Sequence, residues 1–343
     1  MRRWLAALAL VAAAAIALAG GLAAWAWHVL HTPYGPPGAT ELDVVPGSSA
    51  GRILSELAAL GFVPDATLAR LYLVYVLGDP PLRSGEYRIE GPATTAEILD
   101  LLVRGDVVLH PVTLVEGLTL EETAAHLAAA GFGGEARFLA AMRSPAAIAD
   151  LDPEATTLEG YLFPDTYSFP RATPEDRIVR TLVANFRRRM DENLAARGPA
   201  PLRELVTLAS IVEKEARLDA ERPVIAGVYR NRLDRGIGLY ADPTVIFALK
   251  QLGTWDGDIR RRDLELDSPY NTYRHPGLPP GPICSPGLAS LLAAAAPADV
   301  PYLYFVSRND GSHVFAETLR EHNQNVERWQ RRYWREKREE DSG

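Results

Sequence analysis

Cysteine is nearly missing from this 343-residue sequence, and the usual metal and nucleotide motifs are missing too. Cys284 is the only cysteine, which excludes an internal disulfide framework and every multi-cysteine zinc motif. The histidines do not show metal-type spacing such as H-E-x-x-H, and a nucleotide-binding glycine motif does not occur. The net charge is -8, so the composition does not indicate a nucleic acid partner. We therefore expect a globular protein without a metal or cofactor.

A long stretch that follows the first three residues contains no charged side chain. No Asp, Glu, Lys or Arg occurs between Arg3 and Glu41, and residues 5–30 are almost wholly apolar. A helix over those residues would rise roughly 39 Å at about 1.5 Å per residue, enough to cross a bilayer. Two arginines precede the stretch, so the positive-inside rule keeps the N-terminus cytoplasmic and puts Trp25 and Trp27 at the far interface. The sequence predicts a transmembrane anchor with the bulk of the chain outside the cytoplasm.

A cleaved signal peptide is the alternative, because Ala17-Leu18-Ala19 before Gly20 is typical of a small-residue cleavage site. The apolar run continues well past that point, which favours a retained anchor. Both interpretations export the protein.

A repeated pattern follows a Pro- and Gly-rich linker at residues 31–40. Gly47 and residues 57–62 recur as Gly117 and residues 127–132, at an offset of 70 residues. Each copy is typical of a strand, a Gly turn and an amphipathic helix closed by a glycine. The pattern is similar to LysM-like modules, which bind glycan chains. A structural α+β spacer is the alternative, since turn-plus-helix units are common.

The rest of the chain is predicted to be mostly helical, with one β-hairpin. Strands at residues 302–306 and 313–315 flank Asn309-Asp310-Gly311, which is a good hairpin turn. An irregular segment is expected over residues 152–174. The expected helices cover residues 138–149, 174–194, 204–218 and 222–233.

A capping-box signature, Thr318 with Glu321, predicts the start of the last helix. That helix runs into the highly charged segment 328–340, which is most simply a solvated helix end.

Two glutamates flank the apolar face of the helix that is predicted over residues 204–218. With Leu205 at the centre of that face and 100° per residue, Glu213 lies about 80° to one side and Glu215 about 80° to the other. A carboxylic acid beside an apolar face can have a raised pKa, as a general acid at neutral pH needs. Smaller neighbours leave more room beside Glu213 and mildly favour it as the reactive group. Alternatively, both glutamates rim the core and pair with Arg217 or Arg222.

Other polar and aromatic side chains lie in loop-like segments that could line a saccharide groove. A stiff, proline-rich loop covers residues 277–287 and contains Cys284, which has no evident base partner. His313 and His322 could contact a substrate, although a lone histidine is more often structural. The remaining candidates, whose alternative role is turn structure, are Glu159, Tyr161, Asp165, Tyr167, Asp242, Tyr270, Asn271 and Tyr273.

The order and spacing of these motifs resemble those of the bacterial endolytic murein transglycosylases, which are membrane-anchored lytic enzymes of peptidoglycan. The resemblance covers nearly the whole chain. The stretches that carry it are 158–167, 209–215, 228–233, 242–245, 270–273, 277–283 and 302–306, followed by His313 and His322-Asn323.

The resemblance implies cleavage of the β-1,4 bond between N-acetylmuramic acid and N-acetylglucosamine, with formation of a 1,6-anhydromuramic end. It implies Glu213 as the catalytic group, first acid and then base, with Glu215 as the fallback. The sequence differs from the family pattern at Tyr240, where a Gln is usual. If the family Gln contacts substrate, the contact must differ in this protein. The implied substrate-binding residues are Glu159, Tyr161, Asp165, Tyr167, Glu215, Asn231, Asp242, Tyr270, Asn271, Tyr273 and His313.

The resemblance also implies an α+β fold on a single-pass anchor in the inner (plasma) membrane, with the catalytic domain on the extracytoplasmic side. An enzyme held where new strands emerge suggests coupling to cell-wall synthases. The expected segments are a cytoplasmic tip (1–4), the anchor (5–30), a linker (31–40), a LysM-like module (41–112), a second βα module or connector (113–150) and a mostly helical catalytic domain with a short hairpin (151–343).

Two other functions stay open at this point. Glycosidases ordinarily use two carboxylates, and Glu159, Asp165, Glu215 and Asp242 are available as a second one, so a muramidase-type hydrolase of the same bond is possible from the motifs. A noncatalytic cell-wall-binding scaffold would instead use the glutamates structurally.

Overall fold

The structure is a computed structural model that describes residues 2–194, 201–333 and 335. The chain divides into two compact units. The first unit comprises Met1–His110 with Ser168–Ala172, and the second comprises Pro111–Tyr167 with Thr173–Gly343. Met1 of the predicted cytoplasmic tip, the side chains of Arg2 and Arg3, and most of the charged segment after residue 333 lie outside the described residues.

The fold is α+β and rich in helices, as predicted. The helices are α1 (Arg2–Leu30), α2 (Ala50–Ala59), α3 (Ala66–Tyr75), α4 (Thr95–Arg104), α5 (Leu120–Ala129), α6 (Glu135–Met142), α7 (Glu175–Leu194), α8 (Leu202–Glu215), α9 (Arg222–Asp234), α10 (Asp242–Gln251), α11 (Leu288–Ala295) and α12 (Leu319–Val326). The strands are β1 (Pro33–Tyr34), β2 (Thr40–Val44), β3 (Gly85–Ile89), β4 (Ala93–Thr94), β5 (His110–Thr113), β6 (Thr166–Phe169), β7 (Tyr304–Ser307) and β8 (His313–Ala316).

The N-terminal helix α1 is long and apolar enough to cross a membrane. Within Trp4–Leu30, an 18-residue stretch has a mean hydropathy of 2.4, and none of that stretch is buried against the rest of the protein. The helix is therefore compatible with a single-pass anchor, although a signal sequence would have the same properties.

The first unit builds its core between a pair of strands and three helices. β2 pairs antiparallel with β3, in a register that puts Leu42 opposite Tyr87. The core side chains come from both strands and from α2, α3 and α4, and they include Leu54, Leu73 and Leu99, which are fully buried. The predicted linker 31–40 contains β1, which pairs with β4. The LysM-like character of this unit stays a prediction.

The strand–turn–helix repeat is confirmed at the level of local structure. Helix α2 begins at Ala50 and α5 at Leu120, and both are ten residues long, so the offset of 70 holds for the elements. The two turn glycines, Gly47 and Gly117, have φ values of 84° and 79°. These left-handed values explain why glycine occupies the turn in both copies.

The second unit is organised around α8. This helix packs against α9, α10 and α11, and its residues Leu205–Val212 are all buried. Behind it, α5 packs on α6 and α6 packs on α7. The predicted segments 113–150 and 151–343 both fall in this unit, except for Ser168–Ala172, and the boundary between the two segments stays a prediction.

The predicted hairpin and the last helix cap are present. β7 and β8 pair antiparallel, with Asn309 and Gly311 at positive φ in the loop between them. Thr318 and Glu321 form the predicted capping box at the start of α12.

Two parts of the sequence prediction were wrong. The helix expected over 138–149 is α6, which ends at Met142, and a short 3-10 turn at Pro145–Ala147 follows it, because Pro145 starts that turn and cannot continue an α-helix. The segment around Asp242, interpreted as a loop, begins α10, because Pro243 in the first helical turn loses no hydrogen bond there.

Candidate active site

Glu213, near the end of helix α8, forms a buried ion pair with Arg222. Its carboxylate lies 3.1 Å from Nη1 of Arg222, and the two side chains are 6% and 8% exposed. The second carboxylate oxygen accepts the backbone N–H of Gly287 at 2.9 Å. Both carboxylate oxygens of Glu213 therefore have a partner. Arg222 is held in addition by an ion pair with Asp219. The alternative that Glu213 pairs with Arg222 at the rim of the core is confirmed.

Glu215, two residues later, faces a different environment. It lies at the end of α8 in the wall of a cleft of about 480 Å³. Tyr229 on α9 donates its phenolic hydrogen to Glu215 Oε1 over 2.8 Å. Burial raises the pKa of Glu215 to about 7, helped by the charge of Asp242, while Tyr229 and Arg232 act in the opposite direction. A carboxyl group with a pKa near 7 suits a general acid at neutral pH.

A second carboxylate and several aromatic rings also line this cleft. Tyr273 donates its hydroxyl to Oδ1 of Asp242 at 2.6 Å, and its ring lies 5.4 Å from that of Tyr240. Tyr240 is 49% exposed and has φ of 49°, an unusual conformation for a tyrosine. Nearby, the buried guanidinium of Arg232 lies over the Tyr240 ring.

His313 enters the cleft from β8 and is held by a carboxylate behind it. Glu221 accepts the His313 backbone N–H at 2.9 Å and lies 2.7 Å from Nδ1 of its ring. Glu215 and His313 both line the main cleft and the smaller pocket that adjoins it. Because Nδ1 is committed to Glu221, Nε2 is the ring atom left for a ligand. His322 also lines the cleft, where burial and the charge of Arg232 lower its pKa.

Glu159 and Tyr270 lie in a separate pocket of about 320 Å³, which Phe247 also lines. Oε2 of Glu159 accepts the N–H of Leu120 at 3.0 Å, while Oε1 is buried without a hydrogen-bond partner. Burial raises the pKa of Glu159 to about 8, so this carboxyl group is largely neutral at pH 7. The two residues are therefore together, but not with Glu215.

The other side chains predicted from the 158–167 stretch have partners inside the protein. Tyr161 is 1% exposed and donates to Asp152, and Tyr167 donates to the Phe163 carbonyl. Asp165 forms an ion pair with Arg189 at 3.1 Å. These contacts give packing roles in this structure, and substrate contact by these residues stays a prediction.

Two predicted amides support the cleft from behind. The Nδ2 of Asn231 donates to the carbonyls of Val300 and Tyr302, just before β7. Asn271 is fully buried, and its Oδ1 accepts the backbone N–H of Tyr273. Asn231 thus holds the segment that leads into β7, and Asn271 holds Tyr273, which lines the cleft. Direct contact with substrate stays a prediction for both.

The cleft also contains residues that sequence reasoning did not select. Tyr229 and Arg232 belong to the stretch 228–233, which carries the family resemblance, although the predicted site includes only Asn231 from that stretch. Their spacing of three residues on α9 puts them on one helix face, a signal that could have found them. Tyr304 and Phe305 of β7 had no comparable signal. Among the described residues, no group of three or more His, Cys, Asp or Glu side chains could hold a metal ion.

Comparison with known proteins gives this architecture a family. A model of the YceG-like family matches residues 42–328, which is most of the chain. The chain belongs to the YceG-like family. This confirms the family predicted from the motifs.

The chain is similar to two named proteins and to one solved structure. The chain is 32% identical to a Bacillus subtilis protein named endolytic murein transglycosylase, over 84% of each chain. It is 29% identical to a Streptococcus pneumoniae protein of the same name, over 82% of this chain and 56% of that longer relative. It is also similar to the crystal structure of a yceG-like protein from Listeria monocytogenes, with 31% identity, a TM-score of 0.54 and coverage of 84% of this chain and 98% of that one.

Proposed function

We propose that this YceG-like protein is a lytic murein transglycosylase that cleaves peptidoglycan glycan strands, with Glu215 as its acid. The names of the relatives support the enzyme class. The observation that carries the choice of residue is the Glu215 carboxyl group, whose pKa is raised to about 7 in the wall of an open cleft.

Glu215 takes the role for which the sequence favoured Glu213. A general acid must reach the leaving oxygen and hold a proton at the working pH. Glu213 is paired with Arg222 and accepts the N–H of Gly287, so both of its carboxylate oxygens are occupied. Glu215 has one donor, Tyr229, and borders the cleft. The position of Glu215 in the cleft wall and the raised pKa of its carboxyl group therefore support Glu215 as the acid.

The proposed reaction needs only one acid/base group. Glu215 donates its proton to the glycosidic oxygen as the bond from C1 of N-acetylmuramic acid to that oxygen breaks. The 6-hydroxyl of the same sugar attacks C1, and the Glu215 carboxylate takes the hydroxyl proton. The proton of the enzyme is thus restored, water is not consumed, and a 1,6-anhydro end is left with a free 4-hydroxyl on N-acetylglucosamine.

The other cleft residues have supporting roles in this proposal. Tyr229 orients Glu215, and its hydrogen bond keeps the pKa of that carboxyl group from rising further. Tyr273 and Tyr240 offer ring faces and a fixed hydroxyl to the sugar. His313, held by Glu221, presents Nε2 to a sugar hydroxyl.

A hydrolase of the same bond is the second candidate, because Asp242 is a second carboxylate in the same cleft. A muramidase would use such a group to activate water or to attack C1. Asp242 accepts the hydroxyl of Tyr273 at 2.6 Å, and this fixed hydrogen bond fits a positioning role as well as a catalytic one.

Product analysis separates the two candidates. The purified full-length protein in detergent is incubated with intact sacculi, and the released strands are measured by mass spectrometry. We expect 1,6-anhydromuramic ends, which are one water lighter than reducing ends. Reducing ends that take up label from ¹⁸O-water would support the hydrolase, and binding without a soluble product would contradict both enzymatic proposals.

A further inference from the structure

Helix α3 of the first unit is apolar on two faces. Ala69 and Leu73 are fully buried in the core of the unit. On the other side of the helix, Leu68, Leu71, Tyr72 and Tyr75 follow the three- and four-residue spacing of a single face. A surface helix ordinarily has one apolar stripe, so the second one needs an explanation.

Exposed apolar side chains of this second face and of the two residues that follow α3 make up what we call the α3 patch. Its members are Leu71, Tyr75, Val76 and Leu77, which are 48%, 80%, 58% and 37% exposed. An ion pair between Arg70 and Asp79 borders it. Neighbouring large apolar side chains with a charged edge are typical of an interaction surface.

The anchor helix α1 ends on the same face of α3. The Trp27 ring stacks on His31 at 3.9 Å, and His31 meets the edge of Tyr72 at 5.9 Å. Tyr72 directly follows Leu71 in the sequence. Leu30, the last residue of α1, is only 4% exposed, although the membrane-length part of the helix is otherwise uncovered. The chain at the end of α1 therefore contacts α3 at Tyr72, on the helix face that also carries Leu71 and Tyr75.

We propose that the α3 patch docks on the outer surface of the lipid bilayer beside the anchor. The apolar stretch of α1 has 27 residues and would rise roughly 40 Å, longer than the roughly 30 Å hydrocarbon layer. Its C-terminal turns, with Trp25 and Trp27, therefore reach the interface, where tryptophan and tyrosine are enriched. Tyr75 and its apolar neighbours lie where they can enter the same interface.

The size of the patch favours lipid over a protein partner. A stable protein interface uses about 20–30 residues on each side. Four exposed side chains are too few for that, but they suffice for a module that α1 already holds at the membrane, because tethering supplies a high effective concentration. The consequence is that the first unit has a fixed orientation on the membrane and does not swing freely on its anchor.

Cysteine labelling of the full-length protein in phospholipid vesicles tests the proposal. Cys284 is buried, so single exposed cysteines can be labelled selectively. A fluorophore is attached to Tyr75→Cys or to Val76→Cys, and the quenching of its fluorescence by brominated lipids is compared with quenching by aqueous iodide. Glu56→Cys, at an exposed position of α2 in the same unit, is the matched control. Intact mass confirms that α1 is retained.

We expect lipid quenching at positions 75 and 76 to be several-fold stronger than at position 56, with iodide showing the reverse order. Adding Leu71→Glu to the Val76→Cys protein should release the label to iodide while the circular dichroism spectrum is unchanged. Equal quenching at all three positions would overturn the proposal. Protection from both quenchers that grows with protein density in the vesicle would also overturn it, because a second copy of the chain would then cover the patch.

Discussion

Tyr229 and Glu215 are joined by a hydrogen bond of 2.8 Å from the phenolic hydroxyl to Oε1. The bond connects α9 to the end of α8. Among the described residues, Tyr229 is the only hydrogen-bond donor to the carboxylate of Glu215, the proposed acid. It restrains the pKa of Glu215, which burial raises to about 7. The pH dependence of the enzyme should therefore respond to this contact.

Tyr229→Phe should shift the pH–rate profile upward. The hydroxyl stabilises the ionised form of Glu215, so its loss raises the pKa of that group, and the proton needed for acid catalysis persists to higher pH. Loss of a hydrogen bond to a charged group predicts a shift of the alkaline limb of kcat/KM by about one pH unit. Tyr87→Phe, whose hydroxyl contacts the Arg83 carbonyl in the first unit, is the control. An unchanged alkaline limb in Tyr229→Phe would count against Glu215 as the titrating acid.

Glu213→Ala should destabilise the second unit. Removal of Glu213 takes away the buried partner of Arg222 Nη1 and leaves that guanidinium with Asp219 and the more distant Glu116, which costs about 1–3 kcal/mol. Urea denaturation measures this loss. Glu204→Ala, at an exposed position of the same helix, should change stability by less than about 0.5 kcal/mol. Equal stabilities of the two variants would show that the ion pair has no structural role.

Glu159→Gln should change how stability depends on pH. The pKa of Glu159 rises from 4.5 to about 8 on folding, so its contribution is fully present below pH 4.5 and is lost as the pH rises towards 8. Ionisation in the buried site costs on the order of 5 kcal/mol. We therefore expect the variant to be clearly more stable than wild type at pH 9 and similar to it at pH 4, measured by urea denaturation. A constant difference across that range would refute the raised pKa.

Gly227→Ala should disturb both stability and activity. A Cβ at this position of α9 would lie 2.4 Å from the carbonyl oxygen of Ala298, so the helix must shift, at a cost of about 1–3 kcal/mol. Because α9 carries Tyr229 and Arg232, kcat should fall as well. Gly51→Ala in α2 meets only open space and should instead stabilise by about 0.4–1 kcal/mol. Thermal unfolding and a cleavage assay together check the pair.

Local features of the fold were predictable because they depend on neighbours in sequence. The 70-residue repeat, the hairpin at Asn309 and the cap at Thr318 each follow from turn glycines, helix caps and periodicity. The start of α10 at Asp242 was missed because an Asp-Pro pair is compatible with a loop as well as with a first helical turn.

The choice between the two glutamates could not be made from the helix alone. The helical wheel puts Glu213 and Glu215 at equal angles from the centre of the apolar face. What distinguishes them is which distant elements pack beside each one. The backbone N–H of Gly287, 74 residues later, bonds to one carboxylate oxygen of Glu213. Tyr229 and residues of strand β7 instead line a cleft together with Glu215. Such long-range contacts are not encoded in periodicity.

The central claim is that Glu215, and not Glu213, is the catalytic acid. Its most direct test compares release of anhydromuramic strands from sacculi by Glu215→Gln and Glu213→Gln, with folding of both checked by circular dichroism. We predict that Glu215→Gln loses cleavage by a factor of about 100 or more while staying folded, and that Glu213→Gln keeps most of its activity at a temperature where it is folded. Full activity in Glu215→Gln together with loss in a folded Glu213→Gln would contradict the account.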